Sequence, residues 1–394
     1  MTTNAKCLHG PQCVPVRPSV HLRVRAFGTI LAFLLGFAHA ACAQEPAAEP
    51  RSRAEAVTII RNLRHIVAPT GIERSETVCI GGIEQFVNIR GMDRRNPVLL
   101  ILHGGPGMPE TPLAWWNTRG LEEYFTIVEW DQRGAGKTYL INDPKLVAPT
   151  MTQDRMILDT EELILWLRKS LGKRKIFLLG HSWGSFLGLE VARRHPEWLY
   201  AYIGTGQVTN TPESERRGYA FALKTAKKTH NVQAIAELDS IAPYVVPGHQ
   251  IPLKSIMIER KWSDAFGGVM AYRDGQIDGS AAKLSPDYSD ADSMHVDVGN
   301  EFSEKFLLND VLNLKLSDIR NLRCPIILLE GRHDRTVNSE VAFEWFKHLR
   351  APSKRFIWFE NSAHEVMSEE PGKFLVSLVI YARPIAAKYG DVAL

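Results

Sequence analysis

The apolar run Ile176-Phe177-Leu178-Leu179 leads directly into Gly180-His181-Ser182-Trp183-Gly184. A buried strand that turns into a helix within five residues leaves almost no room for side chains at the corner. Glycine at the first and fifth positions meets that demand, and the central residue is forced outward at the strand's C-terminal end. That residue is Ser182. The following Ser185-Phe186-Leu187-Gly188-Leu189-Glu190-Val191-Ala192 keeps an apolar face at helical spacing. Such a strand, turn and helix belong to a sheet with helices packed on it, and they present one hydroxyl at its edge. A glycine-rich turn without chemistry is the competing reading.

The rest of the chain repeats this alternation. Strands are expected at 77–80, 85–90, 98–102, 126–130, 176–179, 199–203, 326–330 and 355–359, and the central ones are almost wholly apolar. That composition suits parallel strands covered on both faces. Helices are expected at 152–170, where Met156, Leu163 and Leu167 share one face, and at 339–349 and 373–386. The pattern predicts an α/β fold with a mostly parallel eight-stranded sheet and helices on both faces. Between 207 and 322 the alternation stops and helical segments such as 212–229 and 300–314 take over. A helical lid inserted after strand six would exclude water and select substrate, and a separate second domain is the alternative. The expected division is therefore core at 75–206, lid at 207–322 and core again at 323–394.

The first residues read differently. Arg17, Arg23 and Arg25 precede an apolar stretch at 27–37, and two Ala-x-Ala frames follow, Ala38-His39-Ala40 and Ala41-Cys42-Ala43. This is the pattern of an export signal over 1–43, with a linker and N-terminal segment at 44–74. The protein is then expected to be periplasmic or secreted. An uncleaved N-terminal anchor is the alternative, although the apolar stretch falls short of the roughly 20 residues of a membrane span. The leader holds four of the 47 basic residues and no acid, so the formal charge of +3 becomes 43 − 44 = −1 without it. A near-neutral body lacks the basic surface that nucleic acid requires. Cys79 and Cys324 are the cysteines left, and their apolar settings suggest two buried thiols. No metal-binding spacing is present, and no cofactor is expected.

A serine hydroxyl needs a base within hydrogen-bond reach. In folds built on this turn the chain order is nucleophile, acid, base. The strand at 326–330 runs into Gly331-Arg332-His333-Asp334, and that at 355–359 runs into Glu360-Asn361-Ser362-Ala363-His364. Asp334 and His364 thus fall past strand ends on the edge that carries Ser182. Glu330 and Glu365 compete for the acid's place, and His181 is expected to point away from the pocket. A developing oxyanion needs two N–H donors. Trp183, just after the nucleophile, supplies one; Gly105 in the loop His103-Gly104-Gly105-Pro106-Gly107 is the best second. Arg133-Gly134-Ala135-Gly136-Lys137-Thr138 lacks the leading glycine of a phosphate loop, since Asp131 stands there.

Together, His103-Gly104-Gly105-Pro106-Gly107, Asp131-Gln132-Arg133-Gly134-x-Gly136 and Ser182-Trp183-Gly184-Ser185 resemble the proline iminopeptidase (prolyl aminopeptidase) family of α/β-hydrolases, from whose commonest residues Ala135, Lys137, Thr138 and His181 depart. Gly331-Arg332-His333-Asp334 and Ala363-His364 resemble its acid and base loops. The resemblance implies Ser182 as nucleophile, Asp334 and His364 as its partners, Gly105 and Trp183 as oxyanion donors, and release of an N-terminal residue, often proline, from a small peptide without a cofactor. It also implies lid glutamates that hold the substrate's ammonium group, for which Glu213, Glu215 and Glu259 are the candidates. Glu259-Arg260-Lys261-Trp262 reverses the family's usual Trp-Glu order. An esterase using the same groups on an ester substrate, and a non-catalytic binding protein, are the other readings.

Overall fold

The computed structural model describes residues 49–393. The expected leader and its cleavage frames lie outside the described residues. The sheet contains β1 (Ile72–Ile80), β2 (Ile83–Gly91), β3 (Val98–Leu102), β4 (Thr126–Trp130), β5 (Ile176–His181), β6 (Leu199–Thr205), β7 (Ile326–Gly331) and β8 (Lys354–Phe359). Their order is β1-β2-β4-β3-β5-β6-β7-β8. The β1–β2 and β2–β4 pairs are antiparallel, and every pair from β4 onward is parallel.

Alternation of side chains explains why β3 and the first four residues of β5 are apolar at every position. Leu100, Leu102, Ile176 and Leu178 enter one layer with Met156, Leu163, Leu167 and Leu187. Leu99, Ile101, Phe177 and Leu179 enter the opposite layer with Phe374, Leu378 and Ala382. Successive residues point to opposite faces, and helices cover both. β1 lies at the sheet's edge, where only one face is covered, and its residues alternate in burial. Cys79 is an outward residue there and is exposed, correcting the expectation of two buried thiols; Cys324 is buried.

The expected linker region contains a helix, Arg53–Arg64, whose N-cap Ser52 accepts from the Glu55 amide. It is held by charge rather than by an apolar stripe. The buried Arg64 meets Glu122 at 3.0 Å and Asp287 at 2.7 Å. The helix expected at 373–386 is instead divided into Pro371–Ser377, a π-helical turn Leu378–Ala382, and Arg383–Ala387. Pro384 cannot donate to the carbonyl four residues earlier, and the ladder widens beside it.

Between β6 and β7 lie the helices Thr211–Lys228, Val232–Asp239, Leu253–Ala265, Gln276–Ala282, Asp290–Met294 and Val296–Leu312. The first three share a small apolar cluster of Ala222, Ala226, Ala234, Leu238 and Trp262. Among the described residues, no helix is long and apolar enough to cross a membrane.

Candidate active site

Ser182 sits between β5 and the helix Trp183–Arg194 with φ 52° and ψ −120°. Few non-glycine residues adopt a positive φ, so the surroundings must impose it. Two backbone contacts do so: the Ser182 amide donates to Thr205 O at 3.0 Å, and the Ser185 amide donates to Ser182 O at 2.8 Å. Close packing dictates the residue types around it. A Cβ on Gly184 would press into the Leu102 and His103 carbonyls of the neighbouring strand end.

Asp334 follows β7 and His364 follows β8. His364 Nδ1 lies 2.8 Å from Asp334 Oδ2. The other carboxylate oxygen accepts the Thr336 and Val337 amides, each at 2.9 Å. Burial opposes the charge on Asp334, but His364 and these two amides outweigh it and hold the carboxyl below its usual range. Glu330, the competing acid, is buried at the end of β7. It accepts the Gln207 amide at 3.1 Å and the Ser339 hydroxyl at 3.4 Å. Burial and the charge of Asp334 push its pKa well up, so it is poorly suited to stabilise an imidazolium.

Ser182 and His364 line the same cavity of about 1110 Å³. Among the described residues no hydrogen bond joins the Ser182 hydroxyl to His364, and such contacts commonly tighten only with substrate bound. Gly206 sets the position of the imidazole: it has φ 52°, and a Cβ there would stand 2.6 Å from His364 Cε1.

The amides of Gly105 and Trp183 have no intramolecular acceptor among the described residues. Gly105 lies on the cavity wall. Gln132 braces its loop against the elbow: its amide donates to His103 Nε2 at 3.1 Å, its Nε2 donates to His103 O at 3.0 Å, and its Oε1 accepts Trp183 Nε1 at 3.1 Å. Burial pulls the pKa of His103 down to about 4, which keeps it a neutral brace. Asp131 and Arg133 are occupied structurally. Asp131 accepts from Thr111 Oγ1 at 2.6 Å and from the Lys137 amide at 2.8 Å, and Arg133 pairs with the buried Asp159 at 2.7 Å.

Two expectations are corrected. His181 does not point away; it lines the cavity. Its Nδ1 is 2.9 Å from Glu110 Oε1, its Nε2 is 3.9 Å from Glu365 Oε2, and its ring centroid is 4.9 Å from that of His364. Burial opposes a charge on this ring, yet Glu365 and Glu110 prevail and push its pKa up to about 9. Glu213, Glu215 and Glu259, expected to hold substrate, do not line this cavity. Glu213 is paired with Arg216 and Arg217, each at 2.7 Å, and the buried Glu215 and Glu259 both bond Arg260. Their charges are answered within the helices. The cavity carries other acids: eight carboxylates line it, including Glu110, Asp278, Glu304 and Glu365, against the cations Arg53, Lys283 and His181. Glu110 follows shortly after the glycine-rich loop of 103–107, and that adjacency was the one sequence signal for it.

Residues 97–371 match the alpha/beta hydrolase fold family. The chain is 32% identical over 309 residues to the probable aminopeptidase YbaC of Bacillus subtilis (strain 168), covering 77% of this chain and 94% of that protein. It is 21% identical over 320 residues to a proline iminopeptidase of Elizabethkingia meningoseptica, covering 79% of this chain and 98% of the relative. The crystal structure of a proline iminopeptidase from Mycobacterium smegmatis is similar in fold, with a TM-score of 0.55 at 19% identity, covering 80% of this chain and 100% of that one.

Proposed function

The chain belongs to the alpha/beta hydrolase fold family and is a serine hydrolase; from that premise we propose an exported aminopeptidase that releases N-terminal proline or another small residue from short peptides. The observation that carries this reading is the 2.8 Å contact from Asp334 to His364, which shares the cavity wall with Ser182. Asp334 accepts a hydrogen bond from the Nδ1–H of His364, which leaves Nε2 free to act as base. Ser182 Oγ then attacks the carbonyl carbon of the first residue while its proton passes to His364 Nε2.

The carbonyl oxygen becomes an oxyanion, held by the free amides of Gly105 and Trp183. When the tetrahedral intermediate collapses, the C–N bond breaks and His364 returns the proton to the leaving amine. Water, deprotonated by the same imidazole, cleaves the acyl-enzyme and restores Ser182. The helices between β6 and β7 act as a lid, contributing Asp278 and Glu304 to the cavity wall. An acid-lined cavity favours a substrate with an ammonium group close to the scissile bond. Both names borne by the related peptidases, probable aminopeptidase and proline iminopeptidase, support the same substrate class.

The test is turnover of prolyl and alanyl arylamides, their N-acetylated counterparts and short-chain esters. The expected result is cleavage of arylamides with a free amino group, little of the acetylated forms, and neither activity nor fluorophosphonate labelling in Ser182→Ala. Cleavage of esters alone would instead identify a carboxylesterase. Unlabelled wild-type protein would refute the assignment of the nucleophile. For export, the expected mature protein begins after Ala40 or Ala43.

A further inference from the structure

The wall that bears Ser182 also brings together three side chains of metal-ligating type, of which only His364 serves the hydrolysis. His181 stands at the end of β5, and His364 and Glu365 follow β8. One ligand-capable atom from each lies within 4.8 Å of the other two. In both imidazoles Nδ1 is already bound to a carboxylate: His181 to Glu110 at 2.9 Å, His364 to Asp334 at 2.8 Å. A carboxylate on the far nitrogen is the arrangement that orients metal-binding histidines and raises their basicity.

That arrangement leaves Nε2 of each ring for another partner. His181 Nε2 is buried and has no hydrogen-bond partner, on a side chain only 6% exposed. A buried polar atom without a partner is costly and calls for an explanation. The nearest carboxylate, Glu365 Oε2, is 3.9 Å away, too far for a hydrogen bond but close to the spacing of two ligands around one ion.

We propose that His181 Nε2, His364 Nε2 and Glu365 form a reversible inhibitory site for a divalent transition-metal cation of the zinc type. Two imidazoles and a carboxylate, with water in the fourth position, match the preference of zinc and disfavour magnesium or calcium, which take oxygen ligands. Bond lengths of about 2.0–2.1 Å require the three ligands to draw together by about 1 Å. Glu365, with its side chain 26% exposed, has the freedom to supply part of that movement, and the two imidazoles supply the rest. Glu110, Glu365 and Asp334 surround the site with three carboxylates, more than enough negative charge to answer a dication. Coordination uses neutral imidazole, so metal binding competes with protons for Nε2 of both rings. The structural alternative is a histidine pinned between two carboxylates with no further role.

Inhibition follows because the ion occupies the nitrogen that receives the Ser182 proton; this consequence rests on His364 being the base, whereas binding does not. The two are therefore measured separately. Calorimetric titration of the metal-free full chain with zinc chloride in a non-chelating buffer measures binding, and arylamide turnover with and without EDTA measures inhibition. His181→Asn keeps an amide N–H where Nδ1 meets Glu110 but removes Nε2. Glu365→Gln, at a more exposed position, is the second variant should the first misfold.

The expected result is one zinc per chain, affinity weakened in each variant by more than the roughly 10–100-fold that loss of an outer-shell partner costs, no response to magnesium, and inhibition of the wild type that EDTA reverses. Absence of zinc binding, or equal affinity in wild type and both folded variants, would overturn the site. Binding without inhibition of an active enzyme would overturn its inhibitory role. An inactive wild type that still binds zinc, with weaker binding in the variants, supports the site and sinks only the functional reading.

Discussion

His181 links the pH dependence of stability to the catalytic edge. Its ring is buried, 2.9 Å from Glu110 and 3.9 Å from Glu365. Burial by itself would expel the proton, but the two carboxylates prevail and the pKa is pushed up to about 9. In the unfolded chain the same group titrates near its ordinary value of about 6.5. Because the folded state binds this proton more tightly, the stabilisation is fully present below about pH 6.5 and is lost as the pH rises through about 9. The gap between those values corresponds to about 3 kcal/mol, a large share of the roughly 5–15 kcal/mol that holds a typical protein folded.

Glu110 and Glu365 interact with the same proton, so this magnitude belongs to the three groups together. His181→Asn removes the titration while keeping a donor toward Glu110. Urea unfolding of wild type and variant at several values between about pH 6 and about pH 10 gives the two stability curves. Their difference is expected to shrink by about 3 kcal/mol across that window, most steeply near pH 9. Parallel curves would refute the reasoning, because they would mean that no proton is held between Glu110 and Glu365.

Two further perturbations separate chemistry from folding. Asp334→Asn preserves size but removes the charge that orients and stabilises His364, and kcat on an arylamide should fall about 10⁴-fold with the circular dichroism spectrum unchanged. Activity within about tenfold of wild type would remove Asp334 from its role. Gly206→Ala places a methyl group 2.6 Å from His364 Cε1, and a displacement of about 1 Å should lower kcat about 100-fold. Unchanged kcat in the folded variant would show that the imidazole is not positioned from that side.

Much of the sheet was readable because its determinants are local. The uninterrupted apolar runs 98–102 and 176–179 signal strands buried on both faces, and the ends of β3, β4 and β5 fall where expected to within two residues. The helix Arg53–Arg64 was not readable in the same way, since its anchoring partners Glu122 and Asp287 are distant in the chain. The acidic residues of the insertion misled for a related reason. Glu213 has Arg217 one turn away, and Glu259 is followed at once by Arg260. The neutralising partners were in plain view, but only the packed helices show that the carboxylates turn to them and not to the cavity.

What the amino-acid order determined by itself is the elbow at Ser182, the strand–helix alternation, and the placement of Asp334 and His364 past two strand ends. These depend on backbone sterics and hydrophobic periodicity, which act over a few residues. What the tertiary structure decided is the electrostatic company each group keeps: His181 between Glu110 and Glu365, His364 beside Asp334, and a cavity lined with acid. Charge acts through space and is strengthened by burial, so residues far apart in the chain set its consequences only after folding has brought them together.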